Sequence, residues 1–101
     1  MQTEHGVVQG DVEVSDRYVL HGIVKGNVHI SAGGQMIIHG IVNKDVAVDP
    51  GGSVVVYGMV NGSVHNNGSA EIHGMVDGQV RTGPEGTTHV APGSYINHQR
   101  Q

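Results

Sequence analysis

The chain of 101 residues carries a formal net charge of −4 with histidine counted as neutral, and it contains 17 glycines but no phenylalanine or tryptophan. This length suits one domain spanning 1–101, and a core without large aromatic side chains must be thin and filled by branched aliphatic residues, which favour strands. The five lysines and arginines are scattered. No basic stripe is therefore available for phosphate contacts, and we expect no nucleic-acid binding.

The absence of cysteine excludes a disulfide framework and a thiolate metal site. No apolar run approaches the roughly 20 residues that cross a bilayer as a helix. Residues 1–5 lack the basic and apolar regions of a signal peptide. We therefore expect a cytoplasmic protein without membrane insertion.

A phrase of eight residues recurs five times along the chain. Each copy reads His or Tyr, Gly, an aliphatic residue or Met, and Val, and each closes on a second Val. The copies begin at His5, His21, His39, Tyr57 and His73, which are 16, 18, 18 and 16 residues apart. Self-similarity at a nearly fixed period predicts one structural unit stacked on copies of itself.

Within each repeat the apolar residues alternate, mostly at even-numbered positions. The first repeat contains Val8, Val12, Val14, Tyr18 and Leu20. The same parity continues through Val24, Val28, Ile30, Met36, Ile38, Val42, Val46, Val48, Val54, Val56, Val60, Val64, Ile72, Val76 and Val80. Period-two alternation predicts strands with these side chains facing inward. A helix is disfavoured because glycine falls inside every segment, at about 1 kcal/mol each relative to alanine.

Turn-forming clusters recur at one point of each repeat, at 31–34, 49–52, 66–69 and 83–86. The shorter repeats lack two residues at this point, so the parity survives and equivalent residues stack in columns. This pattern predicts an all-β, single-stranded parallel β-helix (β-solenoid) of about five coils of 16–18 residues, with strands about 4.8 Å apart. Residues 91–101 are predicted to form a C-terminal cap or tail. The alternative is an antiparallel β-sandwich, which has no need to keep identical residues in columns.

Two columns that the parity assigns to the inside of the coil are made of glycine, which permits a bend and a close approach of two backbones. The first column is Gly6, Gly22, Gly40, Gly58 and Gly74, and the second is Gly10, Gly26, Gly62 and Gly78, with Lys44 in the remaining place. A lysine fits only where its side chain reaches solvent. We therefore predict a corner of the coil near residues 26, 44, 62 and 78.

Odd-numbered positions are predicted to face solvent, and most are polar. Asn43 and Asn61 are expected to stack in a short amide ladder. Three neighbouring outward columns break this rule and are predicted to form one interaction face. They are Val7, Ile23, Ile41, Met59 and Met75; Val19, Ile37 and Val55, followed by Glu71; and His5, His21, His39, Tyr57 and His73. Their exposed apolar area would match or exceed the largest patch usual for a monomer. The alternative is that segment 87–96 folds back and covers the face.

The histidine column also raises the question of a metal site, since imidazole is a common ligand. Each repeat offers one histidine in the same column without a nearby carboxylate, and Tyr57 interrupts the column. We therefore interpret these residues as rings on a half-buried strand. No nucleophile, base and orienting group fall together. We expect no metal site, no cofactor and no catalytic residue, and hence no enzyme.

The phrase Gly-x-Val-x-Gly-x-Val-x-Val, repeated once per coil from residue 5 to about residue 90, resembles the bactofilins, the polymer-forming bacterial cytoskeletal proteins. The resemblance implies a β-helix that stacks end to end into filaments without nucleotide and acts as a scaffold. The first functional hypothesis is therefore a non-catalytic assembly module whose partner is itself, as a dimer or filament. The alternative is a small solenoid that binds one protein partner, such as an immunity protein that neutralises a bacterial toxin.

Overall fold

In the computed structural model, which describes residues 2–97 and 99–100, the chain winds through short strands, and none of those residues lies in a helix. The first two coils contain β1 (Gln2–Glu4), β2 (Val7–Val8), β3 (Val12–Val14), β4 (Arg17–Leu20), β5 (Ile23–Val24) and β6 (Val28–Ile30). The third and fourth contain β7 (Gln35–Ile38), β8 (Ile41–Val42), β9 (Val46–Val48), β10 (Ser53–Val56), β11 (Met59–Val60) and β12 (Val64–Asn66). The fifth contains β13 (Ser69–Ile72), β14 (Met75–Val76) and β15 (Val80–Thr82). A sixth coil begins with β16 (Thr87–Val90) and β17 (Tyr95–Ile96), and β18 (Gln99–Arg100) follows.

The successive coils pair strand on strand to give three sheets. Sheet A contains β1, β4, β7, β10, β13 and β16, sheet B contains β2, β5, β8, β11, β14, β17 and β18, and sheet C contains β3, β6, β9, β12 and β15. The pairing keeps equivalent residues together: Val24 pairs with Val42, Val42 with Val60 and Val60 with Val76, all in parallel strands. The predicted all-β parallel solenoid of about five coils is confirmed.

The core is a stack of aliphatic side chains along the axis of the solenoid. Every buried hydrophobic residue has an even number, as the alternation predicted. Leu20, Ile38, Val56 and Ile72 are fully enclosed at successive levels, and burying one such side chain contributes about 1.5–3 kcal/mol. Val8 and Val80, near the two ends, are only half-buried and pack against this core.

The turns from sheet C to sheet A explain the two repeat lengths. Turns 31–34 and 49–52 contain Gly33 and Gly51 with φ of 85° and 88°, a left-handed conformation that favours glycine. Two-residue connections at 15–16 and 67–68 replace them in the shorter coils. The corner predicted near residue 44 is also present, because the chain bends between sheets B and C there and Lys44 is exposed.

The bend between sheets A and B depends on the first glycine column. A Cβ atom on Gly40 would collide with the backbone oxygen of Gly22 in the preceding coil. Gly58 and Gly74 are equally close to the carbonyls below them. These glycines therefore face the neighbouring coil along the solenoid axis, and not the core as the inward assignment of this column predicted. None of the residues that the structure describes forms a coil below Gly6, and a Cβ there would meet only the Glu4 carboxylate at 3.8 Å.

Segment 87–96 does not cover the outer face, contrary to the alternative raised from sequence. Its strands β16 and β17 pair in parallel with β13 and β14 and so continue the coil. Strand β18 then returns antiparallel to β17, with Tyr95 opposite Arg100 and Ile96 opposite Gln99. The chain therefore starts a sixth coil before it reverses.

Substituting Gly40 with alanine should lower the free energy of unfolding by about 1–3 kcal/mol, because the new methyl group forces two coils apart. The same substitution at Gly6 changes the same column where the space is open, and it should leave stability nearly unchanged. Urea denaturation followed by circular dichroism measures both variants. Equal effects at the two positions would show that close approach is not the reason for glycine here.

Candidate functional site

Five rings stack along the corner where sheets A and B meet. The centroid distances are 4.9 Å for His5–His21, 5.0 Å for His21–His39, 5.1 Å for His39–Tyr57 and 5.0 Å for Tyr57–His73. The interplanar angles lie between 4° and 15°. The spacing follows the rise of one coil and falls within the range for favourable ring contacts. All five side chains are nevertheless exposed, so the ring edges face solvent.

The backbone holds each ring residue in place through a shared acceptor. The N–H groups of His39 and Gly40 both donate to the Leu20 carbonyl, at 2.8 and 3.0 Å. Tyr57 and Gly58 repeat this pattern on Ile38, at 2.8 Å each. Two consecutive donors that converge on one carbonyl produce a sharp corner. The main chain therefore determines the outward position of this residue, and the position does not depend on which side chain the residue carries.

An aliphatic column flanks the rings on each side, as predicted. The column on sheet B is Val7, Ile23, Ile41, Met59 and Met75, and the column on sheet A is Val19, Ile37 and Val55. Val7 is 50% exposed and Met75 38%, while the central members are half-buried. The three columns are adjacent, but they lie on two sheets that meet at the ring corner. We call these thirteen residues the ring surface.

The ring surface extends further along sheet B than the sequence indicated. Tyr95 pairs with Met75 and is 41% exposed, so it continues that column into the sixth coil. Sequence reasoning missed it because the corner at 91–94 carries two additional residues and lacks the repeated phrase. On sheet A the apolar column ends earlier: Glu71 takes its place, and its carboxylate lies 3.6 Å from Nε2 of His73.

A second ladder, also missed from sequence, runs along the corner that leads into sheet C. The Asp11 side chain accepts a hydrogen bond from the Asn27 N–H at 2.8 Å, and the Asn27 side chain accepts one from the Asp45 N–H at 3.1 Å. The Asp45 side chain likewise accepts a hydrogen bond from the Ser63 N–H at 2.8 Å. Each side chain thus satisfies a backbone donor of the next coil, which stabilises the stack. The predicted amide ladder is confirmed nearby, where Asn61 Nδ2 donates to Asn43 Oδ1 at 3.1 Å.

His29, on the outer side of sheet C, joins three coils. Its Nε2 lies 2.9 Å from Oδ2 of Asp49, and its Nδ1 lies 3.3 Å from Oε1 of Glu13. The hydrogen bond with Asp49 is the main reason why the pKa of His29 is raised above its usual value. The stabilisation is therefore fully present below the unfolded-state pKa and is lost as the pH rises through the higher folded-state pKa.

Within 2–97 and 99–100, no three His, Asp or Glu side chains are grouped so that they could hold a metal ion. The same residues include no helix that is long and apolar enough to span a membrane.

Comparisons with known proteins return nothing similar. A scan of the sequence against protein-family models finds no match, and searches of curated proteins and of solved structures find none either. No family is therefore identified for this chain by these comparisons.

Substituting Asp49 with asparagine should lower the pKa of His29 towards its usual value, because the carboxylate that stabilises the imidazolium is removed. Glu13→Gln, which removes the more distant carboxylate, should lower it less. Histidine NMR signals followed between pH 5 and 9 measure both shifts. The thermal stability lost in Asp49→Asn should also be larger at pH 5.5 than at pH 8.5, and a loss that is equal at both pH values would contradict this assignment.

Proposed function

We propose that this protein is a non-catalytic, bactofilin-like assembly module that self-associates through the ring surface. One observation carries the proposal: the solenoid fold needs its inward column of valines and isoleucines, yet the chain also places aliphatic side chains and rings outward. These outward columns contribute nothing to the core. Exposed apolar patches of this kind mark interaction sites in soluble proteins.

A second copy of the chain is the partner that matches the ring surface best. The surface repeats itself every coil, so two copies related by a twofold axis can pair column against column. The molecule measures 29 × 25 × 18 Å, and the ring surface covers only part of it, so we expect a buried area below the roughly 800 Å² per partner of a standard interface. We therefore expect a dimer of moderate strength. Met59 and Met75 provide adaptable side chains at one end of the surface.

End-to-end stacking, which the bactofilin resemblance implies, has less support than lateral pairing. At the carboxyl end, antiparallel β18 occupies the place where another parallel coil would continue sheet B. At the amino end, half-buried Glu4 takes the register of Leu20 and Ile38. Stacking a coil on this end would bury its carboxylate without a counter-charge, which is costly.

Substituting Ile41 with aspartate should convert the dimer to a monomer and weaken association by at least tenfold, because an unpaired charge enters the centre of the interface. Ala47→Asp is the matched control: it adds the same charge to the outer side of the same coil, but on sheet C. Size-exclusion chromatography with light scattering measures the mass of each, and negative-stain microscopy shows any filament.

A wild-type protein that is monomeric at high concentration would contradict self-association and favour the alternative, a solenoid that binds a different protein. Long filaments that persist in Ile41→Asp would instead show that assembly uses the ends. An equal response to Ile41→Asp and Ala47→Asp would show that charge alone, and not the ring surface, controls the mass.

A further inference from the structure

Sheet C ends one coil before the other two sheets. Sheets A and B both continue into the sixth coil with β16 and β17, whereas the last strand of sheet C is β15 in the fifth coil. Among the residues that the structure describes, none pairs with the outer edge of β15. The place beside Val80–Thr82, where a sixth strand of sheet C would lie, is here called the sheet C slot.

The backbone of β15 presents hydrogen-bonding groups to this slot. In the four earlier coils the residue equivalent to Val80 donates its N–H to the following coil, as Val64 does to Gln79 at 2.9 Å. The residue equivalent to Thr82 accepts through its carbonyl, as Asn66 does from Gly83 at 2.8 Å. The Val80 N–H and the Thr82 carbonyl therefore point into the slot. An open strand edge of this kind is a template for another strand.

The slot is one strand wide, and a second solenoid cannot enter it. A complete coil would bring its own sheet A and sheet B strands to this level, where β16 and β17 already lie. Strand β18 adds to this obstruction by turning back over β17. The occupant must therefore be a single extended segment, not another copy stacked end to end.

The side chains around the slot define the chemistry of that segment. Val80 is half-buried at the end of the inward column that contains Val64, so an aliphatic residue above it would complete the core. Arg81 is exposed on the outer side and favours an acidic neighbour. Thr82 Oγ1 lies 2.6 Å from Oγ1 of Thr88. Thr88 Oγ1 also accepts a hydrogen bond from Nδ2 of buried Asn66 at 2.9 Å. Thr82 therefore belongs to a small cluster of polar side chains.

We propose that the sheet C slot binds an extended peptide segment of a protein partner by strand addition, in the order aliphatic, acidic, then serine or threonine. The aliphatic residue covers Val80, the carboxylate pairs with Arg81, and the hydroxyl joins the polar group at Thr82. Main-chain hydrogen bonds supply affinity in this mode of recognition, and the alternating side chains supply specificity. The site is separate from the ring surface, so it does not depend on the dimer.

The test uses the acetylated and amidated peptide Gly-Val-Glu-Thr-Gly, titrated into the isotope-labelled chain and followed by amide NMR. Saturable shifts are expected at Val80 and Thr82, and not at β1, β2 or β3. The control peptide Gly-Val-Lys-Thr-Gly should bind about fivefold more weakly. The exposed substitution Arg81→Glu should reverse this preference, and the monomeric variant Ile41→Asp should retain it.

Three results would overturn the proposal. The first is the absence of shifts at Val80 and Thr82 at millimolar peptide. The second is an unchanged preference between the two peptides in Arg81→Glu. The third is a shift of the same amides on diluting the chain without peptide, which would show that a second copy already uses this edge.

Discussion

Parallel, in-register pairing of each coil with the next fixes where every side chain of this solenoid lies. It requires that equivalent residues lie directly above one another, so each choice of side chain is repeated along the axis. Repeats of 16 or 18 residues satisfy it because both numbers are even, and the inward parity is preserved. A coil shortened by one residue would turn its aliphatic side chains to solvent.

This constraint also explains why the outer surface is organised in columns. The stacking of the rings follows from the fold, because their separation of about 5 Å is the separation of the coils. What the fold does not impose is the identity of the outward residues. In the corner ladder from Asp11 to Ser63, outward side chains accept hydrogen bonds from backbone N–H groups. In the ring surface, outward positions carry aliphatic side chains that make no such hydrogen bond. That difference separates structural columns from the proposed interface.

The two ends of the solenoid differ in the residues that lie at their unpaired edges. At the amino end a half-buried glutamate occupies a position that is aliphatic in the coils above it. At the carboxyl end two of the inward columns become polar, one through Asn66 and Thr82 and the other through Thr88. Strand β18 pairs with the edge of sheet B. Sheet A ends on β16 and sheet C on β15, and neither strand has a further partner among the described residues, but sheet C ends one coil lower. This offset distinguishes the proposed peptide slot from the lateral surface.

The strand parity, the corners, the positions of the glycine columns and the outward columns were predictable from the amino-acid sequence, because these features repeat with the coil and are visible as periods of two and of 16–18. Features that depend on where individual atoms point emerged only when the chain was folded. The contact of His29 with Asp49 crosses coils diagonally, and the ladder at Asp11, Asn27 and Asp45 depends on the direction of backbone N–H groups in the following coil. The sixth coil escaped prediction because its corner at 91–94 is two residues longer and carries Ala-Pro-Gly-Ser instead of the phrase. The pairing of Tyr95 with Met75 extends the ring surface, and sheet C has one strand fewer than sheet A. Both facts follow from strand pairing, which is a long-range interaction that the local sequence does not reveal.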